Sequence, residues 1–204
     1  MNNLERRIID ISYKYKLSHI GSCLNAVNFI SHTYETKEPD SVVVVGNAHA
    51  GLALYVVLED LGICDAEEMF KKHGVHVTRD PKHGIAVSGG SLGQAETIGV
   101  GLAFVHPTRN VYIITSDGAC AEGSVWECMR LAGDKQLENL RVAVISNGYG
   151  GYGSIDSQVL DARMNMFYPT LVVRTNLFQF PDWIQGLNGH YVVMDEKKYK
   201  EITK

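Results

Sequence analysis

The stretch Asn110–Asn147, NVYIITSDGACAEGSVWECMRLAGDKQLENLRVAVISN, sets two apolar runs on either side of a segment with helical character. NVYIITS reads as a strand, DGACAEG as a turn, the residues from about Ser124 to Leu137 as a helix, and RVAVISN as a second strand. This is a βαβ unit. Its connection is expected to be right-handed, which brings the carboxyl ends of both strands to one edge of a parallel sheet.

Working outward, the segment Asp40 to Gly46 holds four consecutive valines, the pattern of a strand buried on both faces. The small and apolar residues from Ala50 to Leu61 read as the crossover helix that follows it. Leu4, Ile8, Ile11 and Tyr15 recur at helical spacing and predict an amphipathic helix at the start, with Gly21 as an interruption after it. Between Lys71 and Gly93 lies a glycine-rich loop too long for a simple connector, and such loops tend to carry function. Beyond Asn147, GYGGYGS predicts a loop, TLVVRT a third βα element, and HYVVMDEKKYKEI a short strand and a helix. The expected fold class is therefore α/β, a mainly parallel sheet with helices on both faces, built as a single domain over residues 1–204.

Composition narrows the function. A net charge of -4 with no basic run argues against nucleic acid as a partner. No apolar stretch approaches the roughly 20 residues of a membrane span, and MNNLERR lacks the order of a secretory signal, so a cytoplasmic protein is expected. The four cysteines, Cys23, Cys64, Cys120 and Cys128, form no CxxC pair and read as small buried or half-buried thiols in a reducing cytosol.

In an open parallel sheet, ligands gather outside the carboxyl ends of the strands, where Ser116, Asp117, Gly118 and Asn147 fall. A diphosphate approaching an acidic protein needs a hard cation. Magnesium takes six oxygens, commonly one or two carboxylates completed by phosphate and water. Asp117 offers a carboxylate, Asn147 an amide oxygen, and the loop at Tyr149 a backbone carbonyl. Gly118 leaves room for phosphate to come close, and the helix beginning near Ser124 directs free amides toward it. Against this stands an ordinary doubly wound domain, in which Asp and Asn at strand ends only cap turns.

The residues SDGACAEGSVWE, with Asn147 thirty positions after Asp117, resemble the thiamine-diphosphate motif in its transketolase form, GDG-x-x-x-EG-x-x-WE and a later Asn. Glu122, Gly123, Trp126, Glu127 and Ala132 fall where that family has them, while Ser116 stands for the first glycine and Ser146 for an aspartate. SHIGSCLNAV resembles S-x-G-H-P-G-x-x-L-G, with His19 on the histidine and Ile20 in place of proline. GNAHAGLALY resembles S-K-G-H-A-x-x-A-L-Y, with His49 on the histidine, and Tyr55 and Gly62 match framework positions. HVTRDPKHGIAVSGGSLGQ resembles the glycine loop of the family and aligns His76, Gly84, Gly90, Leu92, Gly93 and Gln94, with His83 an alternative partner for the histidine position.

The resemblance implies the pyrophosphate-binding domain of transketolase. It implies thiamine diphosphate, with magnesium or calcium, held by His49, Gly90, Leu92, Ser116, Asp117, Gly118, Glu122 and Asn147, the metal by Asp117, Asn147 and Tyr149. His19, His49 and His76 are the implied proton-transfer residues, a task suited to imidazole near neutral pH. Glu122 reads either as a helix-start carboxylate or, from the family, as a catalytic-site residue at a subunit interface. His32, His73, His83, His106 and His190 read as structural. The implied reaction moves a two-carbon ketol unit between sugar phosphates. The pyrimidine-binding domain is expected on a second polypeptide, in an α2β2 assembly, and a further active-site histidine is expected beyond this chain. The rival readings are a 1-deoxyxylulose-5-phosphate-synthase-like ligase, the α subunit of a 2-oxo acid dehydrogenase, and a degenerate, non-catalytic cofactor-binding subunit.

Overall fold

The computed structural model of the protein describes residues 1–150 and 152–204; Gly151, in the predicted glycine loop, lies outside the described residues. In chain order the elements are α1 (Asn3–Tyr15), α2 (Ile20–Thr36), β1 (Val42–Val45), α3 (Gly51–Asp60), α4 (Ala66–His73), α5 (Gln94–Val105), β2 (Val111–Ser116), α6 (Gly123–Asp134), β3 (Leu140–Ser146), β4 (Tyr149–Gly150), β5 (Gly153–Ser154), α7 (Ser157–Phe167), β6 (Thr170–Arg174), α8 (Asn188–Tyr191) and α9 (Glu196–Ile202). They form two compact units, one of residues 1–35, 49–75 and 176–204, the other of residues 36–48 and 76–175. No described helix is long and apolar enough to cross a membrane.

The second unit holds the sheet. Its strands run parallel in the order β1-β2-β3-β6, with Val42 opposite Val111, Ile113 opposite Val142 and Val144 opposite Val172. The valine run and the βαβ unit thus stand as the sequence predicts. Val42, Val44, Val111, Ile113, Val142 and Val144 face one core with Val100, Met129 and Met164 from α5, α6 and α7. The alternate residues Val43, Val45, Ile114, Ala143 and Ile145 are buried too, so both faces are covered, as near-continuous apolar strands require.

Several expectations change. The Ala50–Leu61 helix exists as α3, but it packs on α1 and α4 within the first unit, and the helix lying on β1 and β2 is α5. Gly99 explains why α5 can lie so close: a Cβ there would come within 2.7 Å of Ile113. Gly21 is no interruption but the second residue of α2; the break falls at Lys16 and His19, both left-handed, with φ of 56° and 63°. HYVV forms no strand. Its first residues close α8, and Val192–Met194 have no ladder partner among the described residues. The glycine-rich stretch is not all loop, since β4 and β5 pair antiparallel as a short hairpin.

In the first unit, Asn2 and Glu5 close a capping box at the start of α1. Arg7 ties α1 to α3 through two bonds to Glu59, at 2.7 and 3.0 Å, and Glu59 also accepts from the Ala66 amide at the start of α4. Tyr55 is fully buried in α3, and Gly62 takes the left-handed turn that follows it, with φ of 71°.

Candidate cofactor and metal site

β2 ends at Ser116, and the chain turns through Asp117 and Gly118 into a short 3-10 segment at Ala119–Ala121. Ser116 Oγ accepts from the Ala119 amide at 3.2 Å, so the serine that replaces a glycine is engaged within its own turn. Asp117 is only 2% exposed. Its Oδ1 accepts from the Gly118 amide at 2.9 Å. Its Oδ2 accepts from Ser146 Oγ at 3.0 Å and from the Gly148 amide at 2.8 Å. The carboxylate therefore joins the end of β2 to the end of β3. Gly148 sits at φ 84°, a conformation that favours glycine, and the Gly148–Ile155 hydrogen bond of 2.8 Å closes the hairpin behind it.

Asn147 Oδ1 accepts from the Tyr149 amide at 3.0 Å, the turn-capping role that an ordinary domain would also show. Tyr149 lies in β4 and its ring is exposed. Among the described residues no group of three His, Cys, Asp or Glu could hold a metal ion. Of Asp117, Asn147 and Tyr149 only Asp117 carries a carboxylate, which suits an ion whose other ligands are phosphate and water.

Two observations test whether these residues fit a metal diphosphate. Burial pushes the Asp117 carboxyl above its ordinary range, against the opposing pull of donors from Gly148, Ser146, Gly118 and Asn147. A cation would relieve that burial penalty. Gly118 has an ordinary helical backbone, and a Cβ on it would meet nothing nearer than 3.7 Å. The chain's own packing does not demand glycine there, whereas a ligand brought against the turn would. The residues fit.

The other members of this unit gather around the starts of α5 and α6. Ser124 Oγ donates to the Gly93 carbonyl at 3.2 Å, and a Cβ on Gly93, which sits at φ 78°, would come within 2.9 Å of Glu122. Glu122 accepts from the Tyr152 hydroxyl at 3.3 Å, and Trp126 Nε1 donates to the Cys120 carbonyl at 2.8 Å. Gly90 adopts φ 144° with its Cα face toward the exposed His76 ring, while Leu92 is half-buried. His83 instead pairs with Asp80 at 2.9 Å within the turn at Pro81–His83, which gives it a structural task.

One buried acid escaped the sequence reading. Glu96, in the first turn of α5, is fully buried; its Oε1 accepts from Thr115 Oγ1, and its Oε2 has no partner among the described residues. It holds the strand residue two positions before Asp117. Burial raises its carboxyl above the ordinary 4.5, outweighing the Thr115 bond. The folded chain therefore holds this proton more tightly than the unfolded one. Its contribution to stability is full below the ordinary value and is lost as pH rises toward the raised one. Glu96→Gln removes that dependence. Thermal unfolding at about pH 5 and about pH 8 is expected to show the variant gaining stability relative to wild type at the higher pH. Asp117 shifts in the same sense in both proteins, so it cancels in the difference; an unchanged difference would leave Glu96 ionised.

The remaining site residues lie in the first unit, where His19, His49 and His190 come together. The His19 and His49 ring centres are 5.5 Å apart, His49 and His190 5.6 Å, and His19 and His190 4.2 Å, edge to face. His19 donates its backbone N–H to the His190 carbonyl at 2.9 Å, and its Nδ1 lies 2.8 Å from Ser18 Oγ. Two glycines permit this approach: a Cβ on Gly21 would come within 3.0 Å of Gly189. The structure places His190, which the sequence reads as structural, against His19. Burial lowers the His190 imidazole below its ordinary value. The available sequence signal was the Gly189-His190 pair, which carries no periodicity and reads as any polar turn.

No protein-family model matches the sequence. It is similar to one of the subunits of apulose-4-phosphate transketolase from Phocaeicola vulgatus, 31% identical over 161 residues that cover 69% of this chain and 56% of that protein. It is also similar to the 6-deoxy-6-sulfo-D-fructose transketolase subunit SqwG of a Clostridium species, 32% identical over 111 residues, 48% of this chain and 39% of that one. The fold matches transketolase from Leishmania mexicana with a TM-score of 0.79 over 99% of this chain and 41% of that chain, at 21% identity. The chain spans little more than half, or less, of the proteins it matches.

Proposed function

From its kinship with the transketolases, the family in which its sequence and its fold place it, we propose that this chain supplies the diphosphate- and metal-binding half of a thiamine-diphosphate-dependent transketolase. The observation that carries the reading is the buried Asp117 carboxylate joining the ends of β2 and β3. In this reading Asp117, the Asn147 side-chain oxygen and the Tyr149 carbonyl hold magnesium or calcium. Gly118 and Gly90 keep side chains away from the diphosphate, and Ser116 and Leu92 complete its surroundings. Ser116, which stands where the family has glycine, accepts from the Ala119 amide within its own turn, and this supports a retained site over the degenerate alternative.

Thiamine diphosphate, when bound, supplies the electron sink for breaking the C2–C3 bond of a ketose phosphate. The chain's residues have the remaining tasks. His19, His49 and His76 move protons on and off sugar hydroxyls, with His190 packed against the first two, and Glu122 takes part where subunits meet. The pyrimidine-binding domain resides on a second polypeptide, in an α2β2 assembly; the naming of two relatives as transketolase subunits supports this. The four cysteines, none of them in a disulfide among the described residues, suit a reducing cytoplasm.

His49→Ala separates chemistry from binding. In the assembled enzyme the variant is expected to lose turnover by about 100-fold or more at saturating cofactor, the scale of a lost acid–base group, with a much smaller loss of cofactor affinity because the metal and the rest of the binding set remain. Calorimetry with thiamine diphosphate and magnesium, beside a ketol-transfer assay, reads both. Unchanged turnover would make His49 structural, and lost affinity would move it to the binding set.

A further inference from the structure

Glu122 holds the N-cap position of α6, yet its side chain makes no capping bond among the described residues. A side chain at that position ordinarily accepts from an amide of the first helical turn. This carboxylate is held elsewhere, by the Tyr152 hydroxyl at 3.3 Å.

The stem of Glu122 is fixed before its carboxylate is. A Cβ on Gly93 would come within 2.9 Å of Glu122 Cβ and 3.5 Å of its Cγ, so the backbone of the glycine loop lies against that stem. Ser124, two residues on, donates to the Gly93 carbonyl and closes the contact. What stays open is where the carboxylate oxygens point, and the bond from Tyr152 decides it.

Tyr152 is an unusual residue for its place. It stands at the tip of the β4–β5 hairpin, directly before Gly153, with 82% of its surface exposed, where turns ordinarily use glycine, asparagine or aspartate. The hairpin beneath it is well anchored. The Gly148 amide bonds to Asp117 at the root, and the Ile155 amide closes on the Gly148 carbonyl. A Cβ on Gly150 would come within 2.6 Å of the Ile155 side chain, which itself packs on the core under the sheet. The tyrosine hydroxyl is thus placed by the same turn that joins Asp117 to β3.

We propose that Tyr152 is the positioning residue for Glu122: its hydroxyl sets the direction of the Glu122 carboxylate, and the hairpin ties that direction to the turn at Asp117. The inference rests on the transketolase reading, in which Glu122 belongs to the cofactor site, and adds to it a residue outside the resembled motifs. Phenylalanine at this position would keep the ring and lose the one group that reaches Glu122.

In the assembled enzyme, at saturating thiamine diphosphate and magnesium, Tyr152→Phe is expected to lower turnover by about 5-fold, the scale of one hydrogen bond, with cofactor affinity within about 2-fold of wild type. A merely structural role would lower affinity and thermal stability together, and calorimetry and thermal unfolding read both. The cycle with Glu122→Ala is the sharper arm: because Tyr152 acts through Glu122, adding Tyr152→Phe to Glu122→Ala is expected to change turnover by less than about 2-fold. Unchanged turnover in Tyr152→Phe, or an equal loss in both backgrounds, would overturn the proposal and leave the transketolase reading standing. A wild-type assembly that binds no thiamine diphosphate would overturn that reading, and this proposal with it.

Discussion

Asp117→Asn is expected to abolish magnesium-dependent binding of thiamine diphosphate while leaving the chain folded. The substitution keeps the shape of the side chain and one acceptor oxygen, which can stay with Ser146 and Gly148 while the new amide nitrogen faces only the Gly118 amide, and it removes the charged ligand of the proposed set. Alanine is the poorer probe. It would take the acceptor from the half-buried Gly118 and Gly148 amides, each costing up to about 1–3 kcal/mol, while the Ser146 hydroxyl keeps its contact with Ser157. Loss of binding in that variant would then report a disturbed turn as readily as a lost ligand. With asparagine the two effects part: thermal stability should be kept, since burial disfavours the aspartate charge, and cofactor affinity should fall by about 100-fold or more. Calorimetric titration with and without magnesium measures this. Wild-type affinity in Asp117→Asn would remove the metal from the account.

The sequence made the sheet easy to read and the helices around it hard to place. Val42–Val45 and the two runs flanking Asp117 are strands that need apolar residues on both faces, so composition alone marks them. α3 is apolar all round, which tells of burial but not of the partner that buries it. α5 is rich in glycine, and its close seat over Ile113 depends on a missing side chain rather than a present one. For the same reason the turn at Asp117 was legible from its spacing to Asn147, whereas the His190 contact rests on two glycines from opposite ends of the chain. Glu96 ran against the expectation that acids face water, so only the structure could show it buried behind Thr115.

The division of the enzyme between two polypeptides is the central claim. The glutamate that activates thiamine diphosphate in the resembled family belongs to the pyrimidine-binding domain; with that domain on a second polypeptide, as proposed from the naming of two relatives as subunits, this chain is expected to hold the cofactor's diphosphate and metal without turning over. Adding the second polypeptide should bring activity from background to a rate at least about 1,000-fold higher, the scale of lost proton transfer and lost electrostatic stabilisation together. The measurement is ketol transfer from a ketose phosphate donor by the purified chain, alone and after mixing with its co-purifying partner. Turnover only in the mixture is the predicted result. Robust turnover by this chain alone, or none from a mixture whose complex forms and binds thiamine diphosphate, would contradict it.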